Sequence, residues 1–112
     1  MIGDWIDVGA LSEIPVRGAR TIKMGEGDEI ALFHTANNKV YALVNRCPHK
    51  HGPLSQGIVH GTAVTCPLHN WVISLETGKA LGADEGVVRT IPVRIEGELL
   101  FIALEALASR AA

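Results

Sequence analysis

Short β-strands separated by tight turns fill most of this 112-residue chain, and the sequence predicts an all-β domain of stacked antiparallel sheets. Three observations carry that expectation. Short runs rich in β-branched and other apolar residues recur along the chain, turn-forming Gly, Asn and Pro divide them at close intervals, and helical periodicity is slight.

Taken in order, residues 5–8 read as a first strand and 10–14 as a short helical turn stopped by Pro15. Residues 21–24 form a second strand, ended by Gly25-Glu-Gly27. Strands at 29–34 and 39–44 flank Asn37-Asn38, a hairpin signal because asparagine tolerates the left-handed backbone of a tight turn. A second hairpin joins 58–60 to 63–65 through Gly61-Thr62. Residues 71–74 run to a turn at Thr77-Gly78, and strands at 93–95 and 99–102 straddle Gly97. The alanine-rich tail, 104–112, reads as a frayed or disordered end.

Composition bounds what such a domain can do. The chain is 47% hydrophobic and 20% charged, which predicts one folded domain over 1–112 with a modest core. A net charge of −2 gives no basic footprint, so nucleic acid is excluded as an expected partner. Met1-Ile-Gly-Asp4 does not open a secretory signal, and the longest strongly apolar run, 99–104, is too short to cross a bilayer. The expectation is a soluble cytoplasmic protein without a membrane partner. No nucleophile stands beside a base and no carboxylate pair brackets a pocket, so no catalytic residue is assigned.

The chemistry is concentrated in Cys47-Pro-His49 and Cys66-Pro-Leu-His69. The chain's 2 cysteines both sit in these motifs, each paired with a histidine. A Cys47–Cys66 disulfide would leave the paired histidines unexplained, and a reduced setting suits two metal-binding thiols. Two thiolates and two imidazoles form a metal donor set. A single residue between Cys47 and His49 suits ligands on neighbouring irons better than two ligands on one tetrahedral ion, where two to four intervening residues are usual. Each motif would then give its cysteine to one iron and its histidine to the other in a two-iron, two-sulfide cluster. A structural Cys₂His₂ zinc site stays open on the ligands alone. Outside these motifs, His34 and His60 are expected to be solvent-facing or satisfied strand residues. Lys50 and His51 read as loop residues beside a ligand, and Trp71 as core packing or cluster shield.

The residues around the ligands carry more. Cys47-Pro-His49-Lys-His-Gly52-Pro-Leu54-Ser-Gln-Gly57 resembles the first ligand loop of Rieske iron–sulfur domains, and Cys66-Pro-Leu-His69-Asn-Trp71-Val-Ile73-Ser-Leu-Glu-Thr77-Gly78 resembles the second. The resemblance implies Rieske-type stacked antiparallel sheets and one 2Fe–2S cluster per chain, held by Cys47, His49, Cys66 and His69. Residues 46–74 would form a cluster-binding subdomain on a β base of 1–45 and 75–112. The bridging cysteine pair of the respiratory type is absent from these loops. Within the soluble types, Leu68-His-Asn-Trp71, Leu75-Glu-Thr-Gly78, Gly82-Ala-Asp-Glu-Gly86 and Thr90-Ile-Pro-Val93 are similar to the small subunit of bacterial NAD(P)H-dependent nitrite reductase. Val87 departs from that pattern, where cysteine is often found.

That resemblance implies a non-catalytic electron-transfer subunit for nitrate assimilation. Its partner would be the large siroheme- and flavin-containing subunit that reduces nitrite to ammonium. The alternative within the family is a soluble ferredoxin of an aromatic-ring dioxygenase system, serving a reductase and an oxygenase; outside it, a zinc-bound or metal-free interaction module. Two thiolates in place of four leave a ferric cluster formally neutral, which eases reduction. Without a bridging disulfide the potential is expected near the low end of the Rieske range, about −150 mV to zero.

Overall fold

The computed structural model describes residues 5–23, 29–45, 53–66, 71–81 and 86–103. Among the described residues there are ten strands: β1 Trp5–Ala10, β2 Ala19–Lys23, β3 Glu29–His34, β4 Val40–Val44, β5 Ile58–His60, β6 Ala63–Thr65, β7 Val72–Ser74, β8 Thr90–Ile91, β9 Val93–Glu96 and β10 Leu99–Ala103. They form three antiparallel sheets, ordered β1-β10-β9, β2-β3-β4-β8 and β5-β6-β7. The all-β expectation holds. No helix among the described residues is long and apolar enough to cross a membrane.

β3 anchors the largest sheet because both of its faces are covered. Successive side chains on a strand point to opposite faces, yet Ile30, Ala31, Leu32, Phe33 and His34 are all buried. The 3-10 turn Leu54–Gln56 packs on β2 and β3, while β9 packs on β4. Full burial of Ile30, Leu32 and Phe33 contributes about 1.5–3 kcal/mol for each side chain. His34 ends the strand as a satisfied core residue. Its Nδ1–H donates to the Ile14 carbonyl at 2.8 Å, and its Nε2 meets the Asn38 side-chain amide at 2.8 Å. Asn38 takes the left-handed backbone that the hairpin requires, with φ 65°.

Strand ends shift by a residue or two from the sequence reading, β2 beginning at Ala19 rather than Thr21, and two departures have a structural cause. β1 does not stop at Val8: a bulge between Asp7 and Gly9 lets it continue to Ala10, with Gly9 at φ 114° and its amide donating to Asp7 Oδ1 at 2.9 Å. A glycine with the look of a terminator is a bulge. β8 is not foreseen by the sequence, since two residues are too few to show a period. Its pairing with β4 ends at Pro92, which has no N–H to extend the ladder, and β9 then pairs with β10 in the other sheet. One proline thus marks the crossing between sheets. The expected helical turn is a 3-10 turn at Leu11–Glu13, whereas the turn at 25–27 and the tail 104–112 lie outside the described residues.

The small sheet shows the strand period in β5, while in β6 and β7 both faces are covered, Ala63 and Ser74 being buried beside Val64 and Ile73. Val59, Val64 and Ile73 are buried on one face, while Ile58 and His60 point outward. The bridges Ile73↔Ala80 and Lys79↔Val87 extend it beyond β7. Its join to the rest of the molecule is the turn before β5. Leu54 is fully buried there. Three residues on, a Cβ at Gly57 would lie 2.2 Å from the Thr65 carbonyl oxygen and 3.0 Å from Val64 Cγ2. Backbone must meet backbone at that point, and only glycine permits it.

Gly57→Ala should therefore force the turn and β6 apart. The expected cost is about 1–3 kcal/mol, which lowers the thermal midpoint by about 4–8 °C per kcal/mol in a domain of this size. Thermal unfolding followed by circular dichroism checks this, and an unchanged midpoint would contradict the close approach.

Candidate functional site

The two ligand motifs grow from fully described roots. The first leaves β4 at Asn45 and returns at Pro53, where the Leu54–Gln56 turn begins. Asn45 is tied at both ends of its side chain. Its backbone N–H donates to the Glu29 carbonyl at 2.8 Å, which carries the β3–β4 pairing one residue further. Its Nδ2 donates to Glu29 Oε1 at 3.2 Å, and its Oδ1 accepts from the Ser55 backbone N–H at 2.8 Å.

The second motif joins β6 to β7. Thr65 pairs with Val72, and one step further out the Cys66 N–H donates to the Trp71 carbonyl at 2.6 Å. Residues 67–70 are thus spanned by a backbone hydrogen bond between the residues on either side. Cys66 is fully buried, and Trp71 is half-buried against the core. Trp71 therefore takes the packing role, one of the two expected of it. Thr65, directly before Cys66, is held on its other side by His60, whose Nε2 lies 2.7 Å from Thr65 Oγ1. His60 is accordingly an exposed strand residue with a partner.

Of the four predicted ligands, Cys66 is described; Cys47, His49 and His69 lie outside the described residues, as do Lys50 and His51. Their roots are brought together by the Gly57–Thr65 approach, which sets the return leg of the first motif against the residue preceding Cys66. Among the described residues no group of three or more His, Cys, Asp or Glu is arranged to hold a metal. Sequence reasoning missed Asn45, although a short amide side chain two residues before Cys47 is a residue type that captures local backbone N–H groups.

Comparison with known proteins bears on what these motifs hold. The family described as the Rieske-like 2Fe-2S domain matches residues 4–103. The chain is 37% identical over 105 residues to the ferredoxin component of the naphthalene 1,2-dioxygenase system of Pseudomonas aeruginosa, covering 93% of this chain and 99% of that one. In structure it resembles the ferredoxin of carbazole 1,9a-dioxygenase from Nocardioides aromaticivorans IC177, with a TM-score of 0.78, 24% identity, and coverage of 88% of this chain and 96% of that one. It resembles equally a protein assigned as the NADPH nitrite reductase small subunit, with a TM-score of 0.78, 26% identity, and coverage of 88% and 97%. The zinc alternative is thereby set aside. This chain belongs to the Rieske-like 2Fe-2S domain family, as an electron-transfer protein with a Rieske 2Fe–2S cluster.

Proposed function

We propose that the chain is the ferredoxin component of a ring-hydroxylating dioxygenase system, carrying one electron at a time from a reductase to an oxygenase. The observation that carries this reading is the 37% identity, end to end, with a naphthalene dioxygenase ferredoxin component. Fold does not discriminate here. A dioxygenase ferredoxin and a nitrite reductase small subunit match this structure with the same TM-score of 0.78. The similarity of 68–71, 75–78, 82–86 and 90–93 to the nitrite reductase small subunit, together with 26% identity to one such protein, keeps that subunit as the second reading.

In this reading Cys47, His49, Cys66 and His69 hold the cluster, and residues 46–74 form the subdomain that carries it. The donor set fits: two thiolates and two imidazoles are the Rieske complement. The described roots fit as well. A fully buried cysteine beside a hydrogen-bonded strand end is a rigid place from which to offer a thiolate. A buried thiolate without a compensating cation would be costly, and metal removes that cost. When bound, the cluster supplies a store for one electron. The chain's own work is to present donors of two kinds and to keep the Cys66 side out of water.

Two outcomes are expected. His69→Ala should lose the Rieske EPR signal while keeping most of its β content by circular dichroism, and a full signal in that variant would remove His69 from the ligand set. The partner is tested by turnover. Reduced chain should sustain substrate dihydroxylation by a naphthalene-type oxygenase when an NADH-dependent reductase is supplied. If it fails there but supports nitrite reduction with the siroheme-containing large subunit, the second reading replaces the first.

A further inference from the structure

We propose that Asn45 is a positioning residue for the cluster, closing the first Cys–His motif at its base and holding it in register with the second. The inference rests on the ligand reading above, and it begins from an orphaned donor. Within the 3-10 turn Leu54–Gln56, the Gln56 and Gly57 amides donate back to Pro53 and Leu54 at 3.0 and 2.9 Å. The Ser55 amide sits one position too early for that pattern, as first-turn N–H groups do. Asn45 Oδ1 supplies its acceptor at 2.8 Å.

That hydrogen bond joins the residue where the chain leaves β4 to the 3-10 turn that follows Pro53, where the first motif returns. The residues between them include Cys47 and His49. Glu29 holds the same side chain from behind, through its carboxylate and through its backbone carbonyl to the Asn45 amide. Two residues after Ser55, Gly57 meets the Thr65 carbonyl, and Cys66 follows Thr65 directly. Asn45, Ser55, Gly57, Thr65 and Cys66 thus make a continuous line from the large sheet to the cysteine of the second motif. Removing Oδ1 would free the return leg of the first motif from its outgoing leg while leaving the β3–β4 ladder and the Leu54 plug intact. Its effect should fall on the metal rather than on the fold.

Four anaerobically purified proteins test this: wild type, Asn45→Ala, the double variant E29Q/N45D, and His49→Ala. The double variant reverses the polarity of the Glu29–Asn45 contact, since an amide introduced at position 29 can donate to a carboxylate introduced at position 45. It also preserves an acceptor for the Ser55 N–H. Asn45→Ala should keep wild-type β content, release iron to a chelator on the order of tenfold faster, and show shifted or broadened EPR lines. The double variant should return both readouts to wild type. Wild-type iron release and EPR in Asn45→Ala would overturn the proposal. So would a double variant no better than the alanine, or an Asn45→Ala chain that loses β content or fails to fold, which would make Asn45 part of the scaffold alone. His49→Ala reads the ligand assignment by itself. If it keeps a full Rieske signal, the ligand reading has failed, whatever Asn45 does.

Discussion

The approach of Gly57 to the Thr65 carbonyl is the contact on which the arrangement of this molecule turns. The two Cys–His motifs are rooted in separate sheets, one on β4 of the four-stranded sheet, the other at the β6–β7 connection of the small one. Backbone touching backbone at a glycine brings those roots side by side with no side chain between them to flex. The burial of Leu54 three residues earlier supplies the anchor, since a fully buried leucine contributes about 1.5–3 kcal/mol and fixes the turn on β2 and β3. A metal centre that draws ligands from two loops needs that kind of rigid joint, because its donors must be correctly spaced before the metal arrives.

Electrostatics decides what the joint can carry. Cys66 is fully buried, and a metal bound there would compensate the charge of its thiolate, which burial alone disfavours. Two imidazoles in place of two further thiolates keep the oxidised centre formally uncharged. The same substitution raises its potential relative to four-cysteine ferredoxins. One scaffold with one such centre can serve different electron acceptors, and the equal TM-scores to a dioxygenase ferredoxin and a nitrite reductase small subunit are consistent with that. Function within this family is written in side chains more than in topology.

Much of this is legible in the residues. Nearly every strand of three residues or more is readable from turn chemistry, because Asn38, Gly61 and Gly97 all take positive φ where the sequence marks hairpins. Strand ends move by a residue or two. What cannot be read is non-local. β8 exists because Thr90 and Ile91 find β4, not because two residues prefer extended backbone. The Gly9 bulge depends on a partner strand distant in sequence. Asn45 does not stand out in the sequence because its meaning comes from Ser55 and Glu29, which only the fold brings near. The ligand motifs can be read directly, whereas the partner cannot: the nitrite reductase resemblance rests on short segments, and end-to-end identity favours the dioxygenase ferredoxins.

The central claim is that two thiolates and two imidazoles of this chain hold one two-iron cluster. Pulsed EPR of the anaerobically purified, chemically reduced protein measures that most directly, because nitrogen bound to iron leaves hyperfine couplings that sulfur cannot. The account predicts a Rieske-type signal with couplings from two histidine nitrogens. A reduced 2Fe–2S signal without nitrogen couplings, or a colourless protein containing zinc, would contradict it.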